Sequence, residues 1–168
     1  MMNLYVDMDG VLAEYRLVPL SALYEPGYFR KLMPQANVVE GLKAFINAHP
    51  DVNVSVLSCI IPGRPYAAEE KLEWLEENCP FLSGAEKLFI PCGTNKKLMA
   101  KGEENFLLDD HSPNVIDFDD GKHYHGIKLM NGINGQGLKW KGERLYASLE
   151  PEAFAEGLYN AMVNLKTA

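Results

Sequence analysis

The chain has little cysteine, no long apolar run and no excess of positive charge. Its 168 residues include only three cysteines, an odd and sparse set that predicts reduced thiols, and their spacing is not that of paired metal ligands. No apolar run approaches the roughly 18 residues that span a bilayer. The residues before Asp7 have neither the basic stretch nor the apolar segment of a secretory signal. We therefore expect a cytoplasmic protein with no membrane partner.

The charge balance narrows the classes of partner. Sixteen Lys and Arg against 23 Asp and Glu give a net charge of −7. Binding to polymeric nucleic acid or to an anionic membrane usually starts with a basic field, so we expect neither. A small phosphate-bearing substrate needs only local positive charge and stays compatible with this composition.

The order of apolar segments predicts the fold. With 47% apolar residues the chain can form a core, and its length suits one domain, residues 1–168. Short apolar runs predict strands and alternate with amphipathic segments that predict helices. The predicted strands are 4–6, 52–57, 88–90, 106–108 and 126–129, and the predicted helices are 38–48, 67–78, 96–101, 113–119 and 151–165. This alternation is typical of a doubly wound α/β fold, with a parallel sheet covered on both faces.

Two segments interrupt the alternation. Residues 14–35 are rich in aromatic residues and proline, and we interpret them as a small insertion over the site within the single domain. An ordinary long crossover loop is the alternative. The Asn-Gly pairs in Asn131–Trp140 predict a surface hairpin.

Acidic pairs follow two of the predicted strands. Asp7 and Asp9 come after the first strand, and Asp109 and Asp110 come after the fourth. In a parallel sheet these positions meet beyond the carboxyl ends of the strands, where ligands bind. Carboxylates brought close together repel unless a cation lies between them, and Mg²⁺ prefers such oxygen ligands. An acidic turn without chemistry is the alternative for the first pair taken alone.

Groups suited to an anion follow the other strands. Ser58 supplies a hydroxyl, the backbone near Cys59 supplies N–H donors, and Lys96 supplies a positive charge. Taken singly, Ser58 is a common turn residue and Lys96 a common helix start, and the adjacent Lys97 is an alternative to Lys96. Arg64 is a candidate for contacting a substrate anion, with a solvated loop arginine as the alternative.

Together these segments resemble the four motifs of the haloacid dehalogenase superfamily of phosphohydrolases. The matching residues are Asp7-Met8-Asp9-Gly10-Val11, Ser58, Lys96 and Leu107-Leu108-Asp109-Asp110. Glu25-Pro26-Gly27-Tyr28-Phe29, Leu32-Met33-Pro34 and Val39-Glu40-Gly41-Leu42 are similar to the corresponding segment of 5′(3′)-deoxyribonucleotidases. The insertion is shorter than theirs, so the resemblance implies a doubly wound fold with an abbreviated cap after the first strand.

The resemblance also implies roles for these residues. Asp7 would attack phosphorus and form an aspartyl-phosphate, and Asp9 would act as general acid and then as general base. The implied Mg²⁺ ligands are Asp7, the backbone carbonyl of Asp9, and Asp110 with support from Asp109, although the order of the last two stays open. Ser58 and Lys96 would bind phosphoryl oxygens, and Tyr15 would lie against a nucleobase.

The sequence therefore predicts a Mg²⁺-dependent phosphomonoesterase whose substrate is a nucleoside monophosphate, with deoxyribonucleotides favoured. A broad-specificity phosphatase acting on sugar phosphates is one alternative. A non-catalytic nucleotide-binding module is another. We expect a monomer or a homodimer.

Overall fold

A six-stranded, all-parallel sheet forms the centre of the computed structural model, which describes residues 1–64, 66–134 and 139–167. Within those ranges the strand order is β3-β2-β1-β4-β5-β6, and every neighbouring pair runs parallel. The strands are β1 (Met2–Val6), β2 (Asn53–Ile60), β3 (Lys87–Pro91), β4 (Glu104–Asp109), β5 (Tyr124–Met130) and β6 (Arg144–Tyr146). The chain reverses its winding direction between β1 and β4, so a crevice forms at the carboxyl ends of these two strands.

Four α-helices flank this sheet in the described ranges. They are α1 (Ala36–Ala48), α2 (Tyr66–Asn78), α3 (Ser112–Phe118) and α4 (Pro151–Thr167). Short 3₁₀ turns occur at Leu20–Tyr24, Phe29–Lys31, Pro80–Leu82 and Lys96–Met99. Gly41 on α1 lets α4 approach closely, because a Cβ at this position would lie 2.6 Å from the Phe154 ring. None of the described helices is both long and apolar enough to cross a bilayer.

Both faces of the sheet are buried, as a doubly wound fold requires. The larger apolar cluster contains Leu4 and Val6 of β1 and packs beneath α1, α2 and α4. The smaller cluster, on the opposite face, contains Tyr5 of β1 and Phe118 of α3. The period-two alternation along β1 therefore places its side chains in both clusters.

The predicted α/β class and the five predicted strands are confirmed. The predicted helix at residues 96–101 is wrong, because only a 3₁₀ turn forms there and its N-cap Asn95 accepts a hydrogen bond from Lys97 N at 2.8 Å. The short strand β6 was not predicted. The hairpin predicted for Asn131–Trp140 lies partly outside the described residues, and the flanking strands β5 and β6 run parallel rather than antiparallel.

Residues 14–35 lie between β1 and α1 and are fastened to α2. Glu70 accepts hydrogen bonds from the backbone N–H groups of Gly27 and Phe29. Trp74 Nε1 donates to Leu32 O at 2.6 Å. This segment is therefore anchored by buried polar contacts, and its function as a cap stays a prediction.

Candidate active site

Three aspartates meet at the carboxyl ends of the two central strands. Val6 of β1 pairs with Leu108 of β4, and Asp7 N continues the ladder by donating to Leu108 O at 3.0 Å. The residues after each strand are therefore neighbours. Asp7, Asp109 and Asp110 are buried, and each offers a carboxylate oxygen within 4.8 Å of the other two. We call these three residues the acidic cluster.

Lys96 places a positive charge against the acidic cluster. Its Nζ donates to Asp109 Oδ2 at 2.6 Å and lies 3.0 Å from Asp7 Oδ1. Burial acts to lower the pKa of Lys96, but the Asp109 and Asp7 carboxylates outweigh it, and the pKa is raised above its ordinary range. Lys97 turns away, with its Nζ 3.8 Å from Asp120 Oδ2. Lys96 is therefore the lysine of this site.

The two aspartates of the second acidic pair have different surroundings. Asp109 Oδ1 accepts from His111 N at 2.8 Å, and Asp109 Oδ2 accepts from Lys96 and, at 2.9 Å, from Asn114 Nδ2. Asp110 Oδ2 accepts from Asn131 Nδ2 at 2.9 Å. Burial, reinforced by the negative charges of Asp109 and Asp7, raises the pKa of Asp110 to about 8. Asp109 is thus the better neutralised carboxylate, and Asp110 is the one that would gain more from a cation.

Asp9 turns away from the acidic cluster towards α2. Its Oδ2 accepts a hydrogen bond from Lys71 Nζ, which also donates to Cys59 O at 2.6 Å and to Ser58 Oγ at 3.0 Å. Burial raises the pKa of the Asp9 carboxyl; the Lys71 ammonium opposes this and the charge of Asp7 adds to it. Asp9 is therefore a carboxyl group with an increased tendency to hold a proton, two residues from Asp7.

Unpartnered oxygens mark the place where a ligand would be bound. Within the described part of the chain, Asp7 Oδ1 and Asp9 Oδ1 are buried and make no hydrogen bond. The contact of Asp7 Oδ1 with Lys96 is close enough for an ion pair, but its geometry is not that of a hydrogen bond. Buried polar atoms are usually paired, so these two oxygens indicate a cation or a substrate group.

A cleft of about 730 Å³ opens above these carboxylates. Asp7, Asp9 and Asp110 line it, and Tyr15 and Leu17 from the segment 14–35 form part of its wall. The other lining residues are Cys59, Cys92, Gly93, Thr94, Asn95, Lys96, His111, Ser112, Pro113, Asn114, Asp117, Lys128, Ile133 and Asn134. Tyr15 exposes 46% of its surface, so an aromatic face is available to a bound molecule.

Three predicted binding residues have different positions relative to this cleft. Cys59 lines it, and burial raises the pKa of its thiol to about 12, which keeps the thiol protonated. Ser58 is fully buried below the cleft, where its hydroxyl accepts from Lys71. Arg64 is not among the lining residues, and its guanidinium lies 5.1 Å from the centre of the Tyr24 ring. The structure therefore does not bring Arg64 to the site.

The acidic cluster suits a hard divalent cation by its chemistry. Its donors are carboxylate oxygens, which are ligands for hard divalent cations, and Asp7 Oδ1 lacks a hydrogen-bond partner in the described ranges. The Asp9 side chain is outside the cluster, and the predicted contribution of its backbone carbonyl stays a prediction.

Lys71 and Asn131 were not predicted as site residues. A sequence pattern could have identified Lys71 but not Asn131. Lys71 lies three residues before Trp74 and four after Ala67, so it falls on the apolar face of α2. A charged residue on a buried face usually has a partner, and this pattern could have identified it. Asn131 lies in a loop, where the sequence has no comparable periodicity.

Comparisons with known proteins do not identify a family. No protein-family model matches the chain, and no curated protein matches it with significance.

Proposed function

We propose that this protein is a Mg²⁺-dependent phosphomonoesterase of the haloacid dehalogenase type that hydrolyses nucleoside monophosphates. The observation that carries the proposal is the position of Asp7. Its carboxylate lies at the floor of the cleft, beside Asp110 and 3.0 Å from the Lys96 ammonium, with one buried oxygen free of hydrogen bonds in the described ranges. A buried carboxylate without hydrogen bonds on that oxygen is a suitable nucleophile for phosphorus.

In the first step, an Asp7 oxygen attacks phosphorus and the bond from phosphorus to the ester oxygen breaks. The products are an aspartyl-phosphate and the alcohol, whose oxygen takes a proton from the Asp9 carboxyl. The raised pKa of Asp9, caused mainly by burial, suits a group that must hold this proton beforehand.

In the second step, a water molecule attacks phosphorus and the bond to the Asp7 oxygen breaks. The Asp9 carboxylate, left without its proton by the first step, accepts a proton from this water. Inorganic phosphate leaves and both aspartates return to their starting states. One residue thus serves as acid and then as base, which requires the fixed position that Lys71 provides.

Mg²⁺ would be held by Asp7 and Asp110, with the backbone carbonyl of Asp9 as a further ligand and Asp109 in support. Bound there, it would supply Lewis-acid stabilisation of the charge on the phosphoryl group. Lys96 contributes a second positive charge, and its salt bridge to Asp109 fixes the ammonium beside the nucleophile. Direct binding of phosphate by Ser58 stays a prediction.

The cleft supports a nucleoside as the leaving group. Its volume of about 730 Å³ lies in the range of small-molecule sites, roughly 300–1,000 Å³. The half-exposed Tyr15 ring at its wall offers a flat apolar surface for a base. This part of the proposal concerns the substrate and is separable from the chemistry at Asp7.

Phosphate release from matched substrates tests both parts. The panel contains deoxyribonucleoside and ribonucleoside 5′-monophosphates and hexose phosphates, each with Mg²⁺ and with EDTA. We expect turnover with Mg²⁺, loss with EDTA, and the highest kcat/KM for a deoxynucleotide, reduced by Tyr15→Ala. A preference for hexose phosphates would overturn the nucleotide assignment alone. Nucleotide binding without turnover would identify a binding module and overturn the enzymatic proposal.

A further inference from the structure

Asn131, at the carboxyl end of β5, bridges the two acidic segments of the site. Its Nδ2 donates to Asp110 Oδ2 and to Gly10 O, both at 2.9 Å. Gly10 belongs to the loop that follows β1, and Asp110 to the loop that follows β4. One amide group therefore joins the segment of the nucleophile to the segment of the second acidic pair, across two strand ends.

The orientation of this amide is fixed by four contacts. Asn131 Oδ1 accepts from Ile133 N at 3.1 Å and from Asn134 N at 3.0 Å, which closes a tight turn after β5. With its oxygen facing two N–H donors, the amide nitrogen must face the two acceptors on Gly10 and Asp110. The turn thus aims the donor at the Asp110 carboxylate.

The same turn also holds the backbone of Asp110. Asn134 Nδ2 donates to Asp110 O at 3.0 Å and to Leu129 O at 2.7 Å, and the buried Lys128 Nζ donates to Asp110 O as well. Three side chains from β5 and its following turn therefore converge on one residue. Neither the backbone nor the carboxylate of Asp110 can rotate without losing hydrogen bonds.

We propose that Asn131 is a positioning residue that orients Asp110 for binding a divalent cation. The inference rests on the proposed function only for the presence of the cation. A hydrogen bond to a ligating carboxylate fixes the direction of its lone pairs, and loss of such a partner typically weakens metal binding about 10- to 100-fold. Asn131 would act on the cation through Asp110 and through the Gly10 loop.

The test measures Mg²⁺ affinity by calorimetry on protein freed of metal with EDTA. We expect Asn131→Ala to bind Mg²⁺ about 10- to 100-fold more weakly. Asn164→Ala is the matched control, because it removes the same kind of amide from an exposed position on α4 that does not line the cleft. This variant leaves the turn after β5 unchanged, so its Mg²⁺ affinity should stay close to that of the original protein.

Thermal unfolding of each variant separates positioning from folding. Should Asn131→Ala fail to fold, Asn131→Ser replaces it, because a serine hydroxyl supports a turn but is too short to bridge Asp110 and Gly10. Unchanged Mg²⁺ affinity in a folded Asn131 variant would overturn the inference, as would equal weakening in Asn164→Ala. Absence of Mg²⁺ binding by the original protein would also overturn it. Mg²⁺ binding without phosphatase activity would overturn only the proposed function.

Discussion

The Asp110 carboxylate occupies the space next to Gly10 that a side chain would need. A Cβ built on Gly10 would lie 2.3 Å from Asp110 Oδ2 and 2.5 Å from its carboxyl carbon. Gly10 also has φ +78°, in the left-handed region that other residues rarely adopt. The glycine after the first acidic pair therefore allows Asp110 of the second acidic pair to approach. Any larger residue at position 10 would collide with the Asp110 carboxylate.

Replacing this glycine should damage the site more than backbone strain alone predicts. Gly63 gives a matched control, because it has φ +75° and a Cβ there would meet no atom of the described residues within 4 Å. We expect Gly63→Ala to lower the free energy of unfolding by about 1 kcal/mol and Gly10→Ala by about 2–4 kcal/mol, with loss of Mg²⁺ binding. Chemical denaturation and calorimetry measure both effects. Equal losses of stability in the two variants would show that the Asp110 contact is unimportant.

The acidic cluster could be predicted because the sequence shows where the apolar strands end and their alternation with helices predicts a parallel sheet. Asp7 and Asp109 each follow an apolar run that is buried on both faces, and parallel neighbours bring such ends together. Lys96 could be predicted as a candidate by the same reasoning, but its choice over Lys97 required the pairing with Asp109.

The remaining parts of the site depend on contacts that no local pattern encodes. Asn131 contacts Gly10 because the ends of separate strands pack together. The sequence around Asn131 has neither the helical nor the strand period, so no local pattern indicates this contact. The strand β6 has only three residues, Arg144–Tyr146, and pairing with β5 rather than intrinsic preference makes it a strand. Ser58 follows an apolar run as predicted, yet it lies inside β2 rather than after it, and its buried hydroxyl accepts a hydrogen bond from Lys71 of α2.

Asp7 should be essential for turnover and dispensable for folding. Asp7→Asn keeps the shape, removes the nucleophile and relieves repulsion within the acidic cluster. We expect kcat to fall by at least about 10³-fold with no loss of thermal stability. The exposed Asp51 provides the control, since Asp51→Asn should leave phosphate release unchanged. Retention of a substantial fraction of activity in Asp7→Asn would exclude Asp7 as the nucleophile.

Lys71 should set the pH range in which Asp9 works as an acid. Its ammonium lowers the pKa of Asp9 against the larger effect of burial, so Lys71→Met should raise that pKa further. The general acid would then keep its proton to higher pH, and the alkaline limb of the kcat/KM profile should move upward. Loss of the hydrogen bonds that Lys71 Nζ makes to Asp9, Ser58 and Cys59 should also cost about 2–4 kcal/mol of stability. The exposed Lys43 on α1 is the control, and Lys43→Met should change neither quantity. If the pH profile of kcat/KM is unshifted in a folded Lys71→Met protein, Lys71 does not control the acid–base function of Asp9.

Asp110 should make the stability of the metal-free protein depend on pH. Its pKa is about 8 in the folded state, against about 4 for an exposed aspartate. Between these values the folded state holds a proton that the unfolded state has released. The contribution of Asp110 to stability therefore falls as the pH rises from about 4 to about 8 and is constant above that.

Mg²⁺ should reverse this trend, because the cation binds the deprotonated carboxylate and displaces the proton. We expect the increase in Tm caused by Mg²⁺ to be larger at about pH 8.5 than at about pH 6. Asp110→Asn removes the titrating group, so it should flatten the pH dependence without metal and abolish most of the Mg²⁺ effect. The measurement is the Tm of each protein at both pH values, once with EDTA and once with Mg²⁺. The difference between the original protein and the variant isolates the contribution of Asp110, and a Mg²⁺ effect of equal size in Asp110→Asn would show that the cation binds elsewhere.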